Sequence, residues 1–276
     1  MMLWLLLLQV WASCLWLGQG EVVESFGSCP QFFYQNFTPG NALTPPNAAN
    51  ICQTLNNQQF FATLYNKDKR IPVYSAYIYK RERGKRPTLQ WMVEPQLIRL
   101  NLSKNMQTVG TLKNNTNVTK EEIMASQAVN GDYDGSGWDR GHLNPSGQHE
   151  NETIRNATFT LTNAVPMNPT LNRGQWRIYE QQTMYNKAEN CSTTHVIVGA
   201  VPGNSSINQD RVNIPNYIWA AACCETNNNN MSAWGAFADN NQNQLRNMTL
   251  GQLEIELANL YGVQNVSLFH GGCPRT

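Results

Sequence analysis

The chain has 276 residues, 41% of them hydrophobic, and a formal net charge of +1. That length and apolar content can bury a sizeable core, which excludes a disordered or fibrous chain. The near-zero charge excludes a bulk positive field as the means of attracting polyanions, so a nucleic-acid partner would need a local basic groove.

Met1 to Leu17 is apolar and uncharged, centred on Leu5 to Leu8, and Gly18 and Gly20 supply small residues at the −3 and −1 positions of a cleavage site. Residues 1–20 read as a secretory signal peptide, too short for the ~20 apolar residues of a membrane span. A secreted, extracellular chain beginning at Glu21, without stable membrane insertion, is expected. Once Cys14 leaves with the signal, Cys29, Cys52, Cys191, Cys223, Cys224 and Cys273 remain. An even cysteine set in an oxidising compartment predicts disulfides but does not choose their pairing. The adjacent Cys223 and Cys224 are expected to bridge to separate partners, because a vicinal disulfide is strained. Eleven Asn-x-Ser/Thr sequons, from Asn36 to Asn265, are candidate surface glycan sites.

Frequent Pro and Asn over residues 21–66 predict an irregular lead-in pinned by Cys29 and Cys52, followed by one domain over 67–276. Ile71 to Tyr79 and Leu89 to Glu94 are β-branched and aromatic, and the basic run Lys80 to Arg86 lies between them. They read as a hairpin whose turn is either a solvated loop or a phosphate-binding patch. Thr119, with Glu121 and Glu122 in the first turn, predicts a helix to Val129. Phe159 to Val165 predicts a strand, and Leu171 to Lys187 predicts a helix with one glycine in its first turn. Strands are expected over 194–201, 217–223 and 234–238, then a helix capped by Thr249 with Leu250, Leu253, Leu257 and Leu260 on one face. Without regular βαβ alternation the fold class is α+β, a mixed or antiparallel sheet core with flanking helices.

Chemistry concentrates in Asp139, Arg140, Gly141 and His142. A neutral imidazole can take a proton from water near pH 7, and a guanidinium can hold phosphate oxygens through two donors. On the helix expected from Leu171, positions 172, 176 and 180 share one face and would present an amide, an indole and a carboxylate. Asn172 and Glu180 are oxygen donors suited to Mg²⁺, which keeps several of its waters. The segment from Asp132 to Gly137 mimics the start of a calcium loop, but its twelfth position is Leu143 instead of the Glu that ligates through both oxygens.

The pattern Tyr133, Gly135-Ser136-Gly137, Asp139-Arg140-Gly141-His142-Leu143 resembles the signature of the DNA/RNA non-specific endonucleases, a ββα-metal family. The resemblance continues in order through Phe159, Leu161-Thr162-Asn163-Ala164 and Pro166, then Leu171-Asn172, Gly174, Trp176 and Tyr179-Glu180. The cysteine-rich lead-in and Trp91, Val93 to Leu97 are similar to its endonuclease domain-containing 1 group. The resemblance implies a ββα-metal finger in which His142 is the general base, Asn172 ligates Mg²⁺ (or Mn²⁺) and Glu180 helps to fix the hydrated ion. It implies that Arg140 contacts phosphate, Asp139 supports the site and Asn163 positions catalytic groups. A further upstream arginine is expected among Arg81, Arg83, Arg86 and Arg99. The implied activity is metal-dependent hydrolysis of DNA and RNA phosphodiesters with little sequence preference. The alternative is a catalytically weak or inactive extracellular binding protein on a nuclease scaffold.

Overall fold

Strands of β-branched, aromatic and small residues make the frame. A computed structural model of the chain describes residues 21–81, 86–228 and 230–276. The expected signal peptide (1–20) and the middle of the basic run (82–85) lie outside the described residues. In chain order the strands are β1 (Val22–Val23), β2 (Ala48–Leu55), β3 (Gln58–Asn66), β4 (Ile71–Tyr79), β5 (Met92–Val93), β6 (Gln107–Thr108) and β7 (Asp139–His142). They continue as β8 (Ala164–Met167), β9 (Cys191–Val201), β10 (Ser205–Ile207), β11 (Val212–Ile214), β12 (Tyr217–Thr226), β13 (Met231–Asp239) and β14 (Arg246–Met248). Eight of them form one antiparallel sheet in the order β1-β2-β3-β4-β9-β12-β13-β14. Helices flank it, so the α+β class with an antiparallel sheet holds.

Strand alternation divides the core between the two sheet faces. Val196, Val198 and Ala200 join Ile218, Ala220 and Ala222 on one side. Ile197 joins Trp219, Ala221 and the helix residues Leu250, Leu253 and Leu257 on the other. The same alternation explains the adjacent cysteines: Cys224 lies in the first cluster and bonds Cys191, while Cys223 lies in the second and bonds Cys273. Cys29 bonds Cys52.

Several elements differ from their sequence expectations. Residues 48–66 are the long strands β2 and β3, so the lead-in is irregular only before them. The expected 71–79/89–94 hairpin does not form. β4 is almost wholly buried and lies between β3 and β9, whereas β5 is a two-residue strand paired with β6 and ended by the turn at Pro95. The strand expected over 159–165 shifts to β8, because Leu161–Asn163 form a 3₁₀ turn. The helix expected over 171–187 starts earlier, at Pro169, where Asn168 caps it, and breaks at Gly174. A Cβ at Gly174 would stand 2.3 Å from both the Thr170 carbonyl and Asn243 Oδ1, so the chain turns there only without a side chain. The Lys120–Ser126 and Leu250–Tyr261 helices begin in capping boxes at Thr119 and Thr249. Of the expected leucine face, Leu250, Leu253 and Leu257 are buried, and Leu260 is exposed past the end of the contact.

Candidate active site

A short two-stranded ribbon presents the histidine. β7 pairs antiparallel with β8, setting Asp139 opposite Met167, Gly141 opposite Val165 and His142 opposite Ala164. Gly141 is required by packing: a Cβ there would lie 2.5 Å from Met167 Cβ. The ribbon is followed by the Pro169–Arg173 helix, which packs on β7, and together they make a ββα unit. Asn163 stands behind it. Its Oδ1 accepts hydrogen bonds from Ser75 Oγ and the Asn144 amide (2.9 Å each), and its Nδ2 donates to the Asn144 and Thr158 carbonyls (2.9 Å each). Every hydrogen-bonding position of that amide is used, and the residue is fully buried, so it positions the chain after His142 and does not face the cleft.

A cleft of about 450 Å³ opens beside the ribbon, lined by His142, Asn172, Glu180, Gln148 and the arginines 86, 140, 173 and 177. Four guanidiniums and the Glu180 carboxyl line it. Although Asp134 and Asp139 pair with Arg140 and Arg173, Arg86 and Arg177 leave a local basic groove that the overall charge does not supply. His142 is half-buried, its ring centroid 4.6 Å from that of Trp91 and 4.8 Å from that of Phe159. Its Nε2 is buried without a hydrogen-bond partner among the described residues. Burial, reinforced by the charge of Arg86, lowers its pKa to about 3, so the ring is neutral at physiological pH.

Asp139 organises the side of the cleft that carries Asn172 and Arg173. It accepts 2.9 Å from Asn172 Nδ2 and 2.8 Å from Arg173 Nε. Burial raises its carboxyl pKa, but the hydrogen bonds from Arg173 and Asn172 outweigh that and hold it below the ordinary carboxylate value. Because the amide nitrogen of Asn172 is committed to Asp139, the amide is fixed in one orientation, and its Oδ1 accepts nothing among the described residues. Glu180 lies in a π-helical turn, Tyr179–Thr183, a distortion frequent at functional sites. Its carbonyl accepts 2.9 Å from Gln148 Nε2, and Gln148 Oε1 accepts 2.7 Å from Tyr77 on β4. Burial raises the Glu180 carboxyl to about pKa 8, with Trp176 and Arg86 pulling the other way. A carboxylate that is costly to ionise and an amide with its oxygen free form a donor set suited to a hard cation that keeps water ligands. No group of three or more His, Cys, Asp or Glu side chains that could hold a metal occurs among the described residues.

Arg140 donates 2.7 Å to the Asn130 carbonyl and pairs with Asp134 at 3.0 Å, so it reaches the cleft already braced. Asp132, first residue of the false calcium loop, is buried against Arg211 (2.8 Å) and is not available to a cation. Of the candidate upstream arginines, only Arg86 lines the cleft among the described residues. Arg81 lies over Tyr185 and pairs with Glu189, Arg99 lies by Asn117 and Glu122, and Arg83 is outside the described residues. Arg173, Arg177 and Gln148 were not singled out by sequence. A signal existed for two of them, since Arg173 follows Asn172 and Arg177 stands one turn before Glu180 on the exposed helix.

A family model described as DNA/RNA non-specific endonuclease matches residues 38–272. The Homo sapiens Endonuclease domain-containing 1 protein is 33% identical over 209 residues, covering 74% of this chain and 40% of that protein. Its Mus musculus counterpart is 32% identical over 203 residues, covering 72% and 39%. The chain thus spans about two fifths of the length of these curated relatives. Homo sapiens mitochondrial Endonuclease G is 41% identical over 56 residues, 20% of this chain and 19% of that protein. A crystal structure of the EndoG/EndoGI complex superposes with a TM-score of 0.53 at 16% identity, over 73% of this chain and 82% of the other, a likeness of fold.

Proposed function

The chain belongs to the DNA/RNA non-specific endonuclease family, and on that premise we propose that it is a metal-dependent endonuclease that hydrolyses DNA and RNA phosphodiesters with little sequence preference. The observation that carries this reading is the Asp139–Asn172 hydrogen bond (2.9 Å), which frees the amide oxygen in the same cleft as a neutral His142. Asn172 and Glu180 would hold a divalent ion, Mg²⁺ or Mn²⁺, which when bound supplies charge stabilisation at the phosphate and the leaving oxygen.

The remaining chemistry falls to the chain itself. Arg86, Arg140, Arg173 and Arg177 would draw the phosphodiester into the cleft and orient it, with no contact needed to base edges, which fits weak sequence preference. His142 Nε2 would take the proton of the attacking water as it adds to phosphorus in line with the leaving oxygen. A base with a pKa near 3 is weak, but the negative phosphate entering beside it would raise that value towards the useful range. Trp91 and Phe159 hold the ring in place, and Asn163 fixes the turn that follows it. Three disulfides and the candidate sequons support an extracellular site of action. No helix among the described residues is long and apolar enough to cross a membrane.

Purified protein is expected to nick supercoiled plasmid and degrade single-stranded RNA with Mg²⁺ or Mn²⁺, and His142→Ala to be inactive under the same conditions. Absence of cleavage by folded wild-type protein across both metals and a range of pH, with nucleic acid still bound, would replace this reading with that of a binding protein on a nuclease scaffold.

A further inference from the structure

Tryptophan is a largely buried residue type, and its distribution in this molecule is uneven. Of the five tryptophans among the described residues, Trp176, Trp219 and Trp234 are buried. The two left partly exposed, Trp91 and Trp138, border one recess of about 260 Å³. That recess adjoins the cleft and shares with it the arginines 86, 140 and 173. Two indole rings thus stand beside the guanidiniums that face the cleft.

Both indoles are held in place. Trp91 packs against His142 and Phe159, with ring centroids 4.6 and 5.1 Å away. Trp138 ends the turn at 135–137, where its amide donates 3.1 Å to Ser136 Oγ, and it directly precedes Asp139 at the start of β7. Both rings pack against the same core cluster while remaining partly exposed. An aromatic side chain fixed in this way stacks on a ligand ring with little further loss of freedom.

The recess is smaller than the ~300–1,000 Å³ of pockets for drug-sized ligands, so it has room for one heterocycle and none for a base pair. In a duplex the faces of each base are covered by its neighbours, and a base reaches an aromatic side chain only when it is unstacked. Among the described residues that line the recess, the one acid is Asp139, which is bonded to Asn172 and Arg173. The lining therefore offers ring faces and cations more than groups that read base edges. Such stacking tolerates any sequence, since every base has a π-face. We infer that Trp138, together with Trp91, forms a stacking subsite for one unpaired base next to the phosphate in the cleft, which makes single-stranded nucleic acid the preferred substrate class. The subsite rests on the nuclease reading for where the phosphate lies, and it adds which form of the strand is chosen.

Binding is tested first without cleavage, in chelator, by fluorescence anisotropy of a labelled oligothymidylate and of a labelled duplex of equal length. Trp138→Leu keeps apolar bulk for packing but removes the ring face. It is expected to raise Kd for the single strand about tenfold and Kd for the duplex far less. Trp138→Phe, which restores a ring, is expected to return the single-strand Kd to within roughly threefold of wild type. With Mg²⁺ added, the ratio of kcat/KM for single strand over duplex is expected to fall about tenfold in Trp138→Leu, carried by KM. Equal weakening of both substrates, or failure of Trp138→Phe to rescue, marks a packing role and overturns the subsite. An unchanged ratio in protein that still cleaves overturns the subsite and leaves the nuclease reading standing. A shifted binding ratio in protein that cleaves nothing supports the subsite and overturns the nuclease reading. Failure of folded wild-type protein to bind the oligothymidylate overturns the subsite outright.

Discussion

The two faces of the central sheet are built on different terms. On one, Trp219, Ile197, Phe237 and the leucines of the Leu250–Tyr261 helix pack together, and the Cys223–Cys273 disulfide closes that face. On the other, the ββα unit gathers three polar atoms that are buried and unsatisfied among the described residues, His142 Nε2, Asn144 Nδ2 and Arg140 Nε, against Trp219 Nε1 in the first cluster. Such orphans are costly in a fold and are tolerated where chemistry needs them. The contrast teaches that one face supplies stability and the other spends some of it on a poised site.

Substitutions can break that division. His142→Ala is expected to lower the cleavage rate by roughly 10²–10⁴-fold, the range for loss of a general base, with Tm within a few degrees of wild type. Equal losses of Tm and rate would show that the ring is a packing element. On the opposite face, Trp219→Ala is expected to cost about 3–5 kcal/mol by chemical denaturation. The kcat of the fraction that remains folded should change little, and a specific loss of kcat would mean that the faces are coupled. Asp139→Asn sharpens the comparison within the site, since it releases Arg173 and frees the Asn172 amide to rotate. Metal affinity is expected to fall about 10–100-fold, read as a higher Mg²⁺ concentration for half-maximal cleavage, with rates partly restored at saturating metal. The smallest effect belongs to Thr249→Ala, which removes the cap from the Leu250–Tyr261 helix and should cost about 1 kcal/mol without altering cleavage at temperatures where the protein is folded.

Much of the site could be read before any coordinates. His142, Asn172 and Glu180 line one cleft although they span three separate stretches of backbone, and motif order alone placed them together. The roles of individual residues were less legible. Asn163 was expected to position catalytic groups, but the partners through which it does so, Ser75, Asn144 and Thr158, lie five to 88 positions away and were not legible. Arg86 could not be separated from Arg81, Arg83 and Arg99, because a long cationic side chain reaches several places and the choice depends on which acids the fold presents. Among the described residues, Glu189 takes Arg81 and Glu122 takes Arg99, leaving Arg86 for the cleft.

The sequence by itself determined what local physics controls: the runs that become β4, β9, β12 and β13, the threonine caps at 119 and 249, and opposite fates for Cys223 and Cys224, which strand alternation enforces. Only the tertiary structure decided what rests on distant pairing. It placed β4 between β3 and β9 instead of in a hairpin, broke the helix expected from Leu171 at Gly174 against Asn243, and buried the polar side chains Glu21, Gln53 and Glu94. The reason is range. Capping and periodicity act within a few residues, whereas sheet order, crowding and the desolvation of a carboxylate depend on neighbours that the chain brings near only when it folds.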